Sequence, residues 1–151
     1  MSAAADRRIT SILFACTMNS VRSPMAEGVA KDLYGSRIFI ESAGLRKTDR
    51  DPLALAVLKE IGVDFSFEDP HTLSEVSLDG FDLIVTLSRE STEFVAERAR
   101  TMAITHLAWP VDDPTLAEGS RERRLQAYRT VRDRIRQLMK EQISPLVRRG
   151  S

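Results

Sequence analysis

Cys16 and Arg22 stand with five residues between them in Cys16-Thr17-Met18-Asn19-Ser20-Val21-Arg22-Ser23, and Cys16 is the only cysteine of the 151-residue chain. An apolar, β-branched run over 9–15 leads into the cysteine, and a helical pattern runs from Pro24 to about Tyr34. A thiol is therefore expected where a buried strand meets a helix N-terminus. Main-chain N–H groups and the positive end of the helix dipole converge at such a place and favour an anion. They also favour thiolate over thiol. Arg22 adds a planar fork that matches two oxygens of a tetrahedral oxyanion. A nucleophile and an oxyanion cradle in one short loop point to attack on phosphorus, or on arsenic as its mimic. The competing reading of Cys16 is a small buried hydrophobe at a strand end.

The elements around the loop fit the first reading. Ser23-Pro24 reads as a helix start, with Ser as N-cap and Pro at the first helical position. Glu27 is then expected in the first turn, where its charge suits the dipole. Asn19 tolerates the left-handed backbone that tight anion cradles need. Further along, strands are expected over 9–15, 37–42, 81–87 and 102–107. Helices are expected over 24–34, from Asp51-Pro52 to about Ile61 with Gly62 as the stop, from Ser88 to about Arg98, and from Glu118 to about Gln142. A short helical turn is expected near Leu73. This alternation predicts an α/β domain, a doubly wound parallel sheet with helices on both faces and ligands at the carboxyl ends of the strands.

Length and composition set bounds. The chain suits one domain, expected over 9–147, with a flexible N-terminus at 1–8 and a C-terminal tail at 148–151. Lys plus Arg number 22 and so do Asp plus Glu, so no global basic field points to nucleic acid. No apolar run reaches membrane-spanning length. A lone reactive thiol, which has no internal disulfide partner, fits the cytoplasm. In the last helical segment Leu125, Tyr128, Val131, Ile135, Leu138 and Met139 recur at three- and four-residue steps and predict a core-facing seam. Its many arginines, interleaved with Glu122, Asp133 and Glu141, read as a solvated face rather than a nucleic-acid stripe.

The run from Cys16 to Gly28 resembles the signature loop of the low-molecular-weight protein tyrosine phosphatases, and also that of the arsenate reductases sharing their fold. The likeness continues at Ser42-Ala43-Gly44, His71, Phe81-Asp82-Leu83-Ile84-Val85 and Asp112-Asp113-Pro114. The resemblance implies a four-stranded sheet of order 2-1-3-4. It implies that Cys16 is the nucleophile, that Thr17, Met18, Asn19, Ser20, Val21, Arg22 and Ser23 hold the phosphate, and that the Ser23 hydroxyl donates to the sulfur. It implies that Asn19 is pinned by the side chains of Ser42 and His71. It makes Asp113, held extended before Pro114, the general acid, with Asp112 as competitor. The chemistry that the resemblance implies needs no metal and no cofactor.

Local readings stand beside these. Asp112-Asp113-Pro114 also suits a helix-entry loop, His71 a turn after Pro70, Trp109 packing, and His106 a core or edge position. The chain also departs from the family pattern. Val21 stands where many members carry a second cysteine. Thr115-Leu116 follow the acid-Pro pair where many tyrosine phosphatases place aromatics, and 45–50 holds no aromatic either. After Val85-Thr86-Leu87, Ser88 stands where thioredoxin-linked reductases carry a redox cysteine, so an intramolecular disulfide relay is chemically impossible.

The expected function is a phosphomonoester hydrolase, a protein tyrosine phosphatase acting on a phosphorylated protein or small aryl phosphate. The alternative is a single-cysteine arsenate reductase or arsenate–thiol transferase using an external small thiol, such as glutathione or mycothiol. A third reading is a non-catalytic oxyanion- or phosphoprotein-binding module, against which the intact trio of Cys16, Arg22 and Asp113 argues. Neither nucleic acid nor membrane is expected as a partner.

Overall fold

A computed structural model describes residues 8–65 and 68–147. The expected tail at 148–151 and all but Arg8 of the expected N-terminal arm lie outside the described residues. Four parallel strands form one sheet in the order β2-β1-β3-β4. They are β1 (Ser11–Cys16), β2 (Phe39–Gly44), β3 (Leu83–Thr86) and β4 (Thr105–Ala108). β1 is buried along its whole length because it is central and covered on both faces. Its side chains alternate: Ile12 and Phe14 join one apolar cluster, Leu13 and Ala15 the other.

The first cluster is filled by α1 (Arg22–Tyr34), α2 (Pro52–Lys59) and α4 (Arg121–Gln142). The second lies under α3 (Arg89–Ala99), through Val95, and under the turns that carry Leu73 and Leu78. All six residues of the expected seam on α4 are buried. A short helix, α5 (Ser144–Val147), closes the described chain. Among the described residues no helix is long and apolar enough to cross a membrane.

Several boundaries differ from expectation for local reasons. β1 extends to Cys16 because Cys16 pairs in register with Gly44 at the end of β2. β2 starts at Phe39 because a 3₁₀ turn, Gly35–Arg37, intervenes after α1. β4 starts at Thr105, where the Asp82 carbonyl accepts the first bond from its N–H. α4 starts after Ser120, whose hydroxyl accepts from the Arg123 N–H. α1 starts at Arg22, two residues before Pro24, and Ser23 is not its cap. Glu27 consequently lies beyond the first turn and is buried.

Two arginines of α4 do more than face solvent. Arg129 Nη2 and Arg132 Nη1 each lie 2.8 Å from a carboxylate oxygen of Glu60, at the end of α2. Their hydrogen bonds hold the Glu60 carboxyl down at about 2, against an ordinary value of 4.5. A carboxylate with a depressed folded-state value stabilises the fold above the ordinary value and loses that contribution as pH falls toward the depressed one. Glu60→Gln is therefore expected to lower stability near neutral pH and low salt by about 1 kcal/mol, the scale of an exposed, solvent-screened pair. In urea titrations, the gap should close as pH is lowered from about 4.5 to about 2; a gap independent of pH and salt would mean the clamp contributes through packing alone.

Candidate active site

The chain leaving β1 wraps into a loop that is held from outside through its carbonyls. The carbonyls of Cys16, Thr17, Met18 and Ser20 accept from the N–H groups of Leu45, Arg46, Thr48 and Asp51, at 3.2, 2.9, 3.3 and 3.2 Å. With the carbonyls turned outward, the N–H groups of the trans peptides turn the other way. None of the hydrogen bonds among the described residues uses the N–H of Thr17, Met18, Asn19, Ser20 or Val21. Gly44 permits this wrapping. A Cβ there would lie 2.5 Å from the Asn19 nitrogen and 2.5 Å from the Arg46 carbonyl oxygen.

Asn19 is the one non-glycine residue among those described with positive φ, at 50°. Its side chain is fully buried behind the loop. Nδ2 donates to Ser23 Oγ and Ser42 Oγ, both at 2.9 Å. Oδ1 accepts from the His71 N–H at 2.8 Å and from Arg50 Nη1 at 2.9 Å. Ser23 Oγ thus accepts from Asn19, and lies 2.9 Å from Cys16 Sγ. Its own proton has the sulfur as its nearest acceptor, the alternative being the Ala43 carbonyl at 3.5 Å. Ser42 in turn donates to Glu27 Oε1 at 2.5 Å. Burial pushes the Glu27 carboxyl up, while bonds from Lys31 and Ser42 pull it down.

A cleft of about 320 Å³ opens over the loop. Cys16, Thr17, Met18, Ser20, Val21 and Arg22 form its floor, and Thr48, Asp51, Glu90, Asp113 and Thr115 its walls. Asn19 and Ser23 sit behind this floor as supports, both fully buried. Among the described residues the Arg22 guanidinium hydrogen-bonds only the Val111 carbonyl, at 3.4 Å, and pairs with no carboxylate. Asp113 also caps a 3₁₀ turn, Pro114–Leu116, accepting from the Thr115 N–H at 3.0 Å and hydroxyl at 2.7 Å. Asp113 thus caps this turn and lines the cleft at once. Asp112 is exposed and lies outside the cleft wall.

One expectation needs correcting. The His71 side chain does not pin Asn19. His71 reaches it through the main chain, and the ring, roughly half exposed, lies 3.9 Å from Glu75. The second donor on Asn19 Oδ1 is instead Arg50. Arg50, buried Glu27 and the wall residues Asp51 and Glu90 were not expected at the site. Asp51-Pro52 was legible only as a helix start, which it is: Asp51 Oδ1 accepts from the Leu53 N–H. Its other oxygen accepts from the Tyr128 hydroxyl at 2.9 Å. Trp109 is packing, buried against Phe14 with its N–H on Gln142. His106 hydrogen-bonds Thr86 at 2.8 Å, and burial pushes its ring's value down. Ser88 caps α3 and pairs with Ser91.

A sequence profile of the family described as low molecular weight phosphotyrosine protein phosphatase matches residues 11–149. An arsenate reductase of Halalkalibacterium halodurans is 37% identical over 124 residues, 82% of this chain and 88% of the relative. Among solved structures, an arsenate reductase in a phosphate-binding state aligns with TM-score 0.73 at 28% identity, covering 91% of this chain and 98% of that one. The low molecular weight protein tyrosine phosphatase of T. tengcongensis aligns with TM-score 0.75 at 26% identity, covering 91% and 99%.

Proposed function

Since the chain belongs to the low molecular weight phosphotyrosine protein phosphatase family, we propose that it hydrolyses phosphomonoesters through a phosphocysteine intermediate. The observation that carries this reading is the Ser23 hydroxyl 2.9 Å from Cys16 Sγ, at the base of a cleft shared with Arg22 and Asp113. The Cys16 thiolate attacks phosphorus, an S–P bond forms, and the P–O bond to the leaving group breaks. Asp113 gives its proton to the departing oxygen. Water then attacks phosphorus, its proton goes to the Asp113 carboxylate, and the S–P bond breaks to release phosphate and thiolate. The loop amides and Arg22 hold the equatorial oxygens as charge redistributes. The Ser23 hydroxyl stabilises sulfur as nucleophile and as leaving group.

The finer reading is a protein tyrosine phosphatase, supported by the family and by a proton donor suited to a phenolate. A single thiol at the centre of the chemistry suits a reducing compartment, the cytoplasm. Release of phosphate from p-nitrophenyl phosphate, with acid-quench trapping of phosphorus on Cys16, tests the mechanism. Phosphotyrosine as substrate tests the finer reading. Arg22→Lys keeps the charge but replaces a two-pronged grip by a point charge. It is expected to lower kcat/KM by roughly 10²–10³-fold; wild-type kinetics would place Arg22 outside the chemistry.

A second reading has its own support. The Halalkalibacterium halodurans relative is an arsenate reductase, and among the described residues no aromatic lines the cleft to wall a phenol ring. In that reading Cys16 condenses with arsenate and water leaves. One external thiol then forms a mixed disulfide with Cys16 as arsenite departs, and a second thiol resolves it. Two equivalents of thiol are consumed per arsenite, which a thiol titration counts directly. Phosphatase turnover without arsenate-dependent thiol consumption decides for the first reading.

A further inference from the structure

The loop's carbonyls are held by a main-chain rule with one exception. Those of Cys16, Thr17, Met18 and Ser20 accept from N–H groups of the segment after β2, and that of Val21 from the Met25 N–H within α1. The Asn19 carbonyl alone has no main-chain donor among the described residues. It accepts instead from Arg50 Nη1 at 2.8 Å. The same nitrogen reaches Asn19 Oδ1 at 2.9 Å, so one guanidinium N–H₂ group grips both the backbone and the side chain of this residue.

Arg50 is itself fixed. Its Nη2 donates to the Asp69 carbonyl at 3.1 Å, in the segment that also supplies the His71 N–H to Asn19. Its guanidinium carbon lies 4.9 Å from the centre of the buried Phe65 ring. A guanidinium only donates. It can therefore hold a carbonyl outward and cannot tolerate the opposite orientation of either Asn19 group.

Because the peptide after Asn19 is trans, an outward carbonyl sends the Ser20 N–H toward the cleft. Were that peptide to turn over, the cleft would lose a donor and gain an oxygen facing the bound anion. Asn19 is the loop residue most exposed to such a turnover, since it already sits in the left-handed region that non-glycine residues leave readily. We propose that Arg50 is a positioning residue of the phosphate loop: its guanidinium replaces the main-chain donor that the Asn19 carbonyl lacks and locks the Ser20 N–H into the anion cradle. The role in turnover rests on the phosphatase reading above; the role in anion binding does not.

The test compares Arg50→Ala and Arg50→Lys with the wild-type chain. Inorganic phosphate serves as probe, measured by the protection it gives Cys16 against iodoacetamide. Arg50→Ala is expected to weaken phosphate protection by about 10-fold to 100-fold, less than the roughly 10²–10³-fold of deleting a cradle donor outright. Arg50→Lys keeps one charged donor and is expected to recover part of the loss. Guanidinium ion at millimolar concentration should restore protection to the alanine variant and leave wild type unchanged. Where phosphatase turnover is measured, the inhibition constant of phosphate and kcat/KM should shift together.

Unchanged phosphate protection in both variants would overturn the proposal. If the alanine variant fails to fold, the lysine variant decides alone: wild-type protection there overturns the proposal, because the lysine nitrogen stops about one bond short of Nη1 and lacks the second nitrogen that is anchored on the Asp69 carbonyl. Protection does not involve turnover, so a chain inactive as a phosphatase but Arg50-dependent in phosphate binding would defeat the functional reading and leave this one standing.

Discussion

Cys16→Ser is expected to remove turnover while the cleft continues to bind phosphate or vanadate. The hydroxyl that replaces the thiol has nearly the same reach but is not ionised near neutral pH, so the attacking species is lost. The cradle does not depend on the sulfur. Its carbonyls are held by Leu45, Arg46, Thr48 and Asp51, and Arg22 lies free of carboxylates among the described residues. Loss of a nucleophile that acts with its partners as a unit typically costs roughly 10⁴–10⁶-fold in kcat. Calorimetric titration with phosphate should give an affinity near that of wild type. Activity within tenfold of wild type would end the covalent mechanism in both readings, since arsenate condensation needs the same sulfur. Loss of phosphate binding together with activity would mean that the sulfur, not the amides and Arg22, anchors the anion.

What was legible beforehand divides along a physical line. The cysteine loop and the buried seam of α4 were readable from local chemistry or from periodicity over many residues, whereas the sheet order came only with the family resemblance. Leu125, Tyr128, Val131, Ile135, Leu138 and Met139 repeat at helical spacing whatever they pack against. Ser23 shows where local rules fail. Ser-Pro is a strong helix-start signal, yet the hydroxyl goes to Cys16 Sγ and α1 starts at Arg22 without a side-chain cap. Bonds to the cysteine sulfur and from a buried asparagine outweigh one to an N-terminal amide that the helix can leave to a bound anion.

Arg50 and Glu27 lay beyond sequence reasoning for a different reason. Their roles exist only once 19, 27, 42, 50 and 69 meet behind the loop, and nothing in their spacing marks that meeting. Glu27 read as a dipole partner, and becomes instead a buried acceptor for Ser42 and Lys31. The His71 position was legible, its atom was not: the Gly44 N–H bonds the His71 carbonyl, and that pairing presents the His71 N–H to Asn19 and leaves the ring at the surface.

Asp113→Asn should discriminate between substrates by leaving group. A general acid matters most where the departing oxygen is a strong base. Phenolate from tyrosine is a poorer leaving group than p-nitrophenolate, so its departure needs the proton more. Asp113→Asn is therefore expected to cut kcat for phenyl phosphate or phosphotyrosine by roughly 10²–10⁴-fold, and for p-nitrophenyl phosphate by distinctly less. The asparagine keeps one oxygen to accept from the Thr115 N–H and hydroxyl, so the turn at Pro114–Leu116 should survive. Asp112 is the internal control. It is exposed and outside the cleft wall, and Asp112→Asn should leave both rates within a few-fold of wild type. Equal losses on the two substrates would show that Asp113 only shapes the turn, and damage confined to Asp112→Asn would transfer the acid role to that residue. If neither change alters phosphate release while arsenate still drives thiol consumption, the reductase reading takes precedence, because no aryl oxide leaves in that reaction and no proton is needed for one.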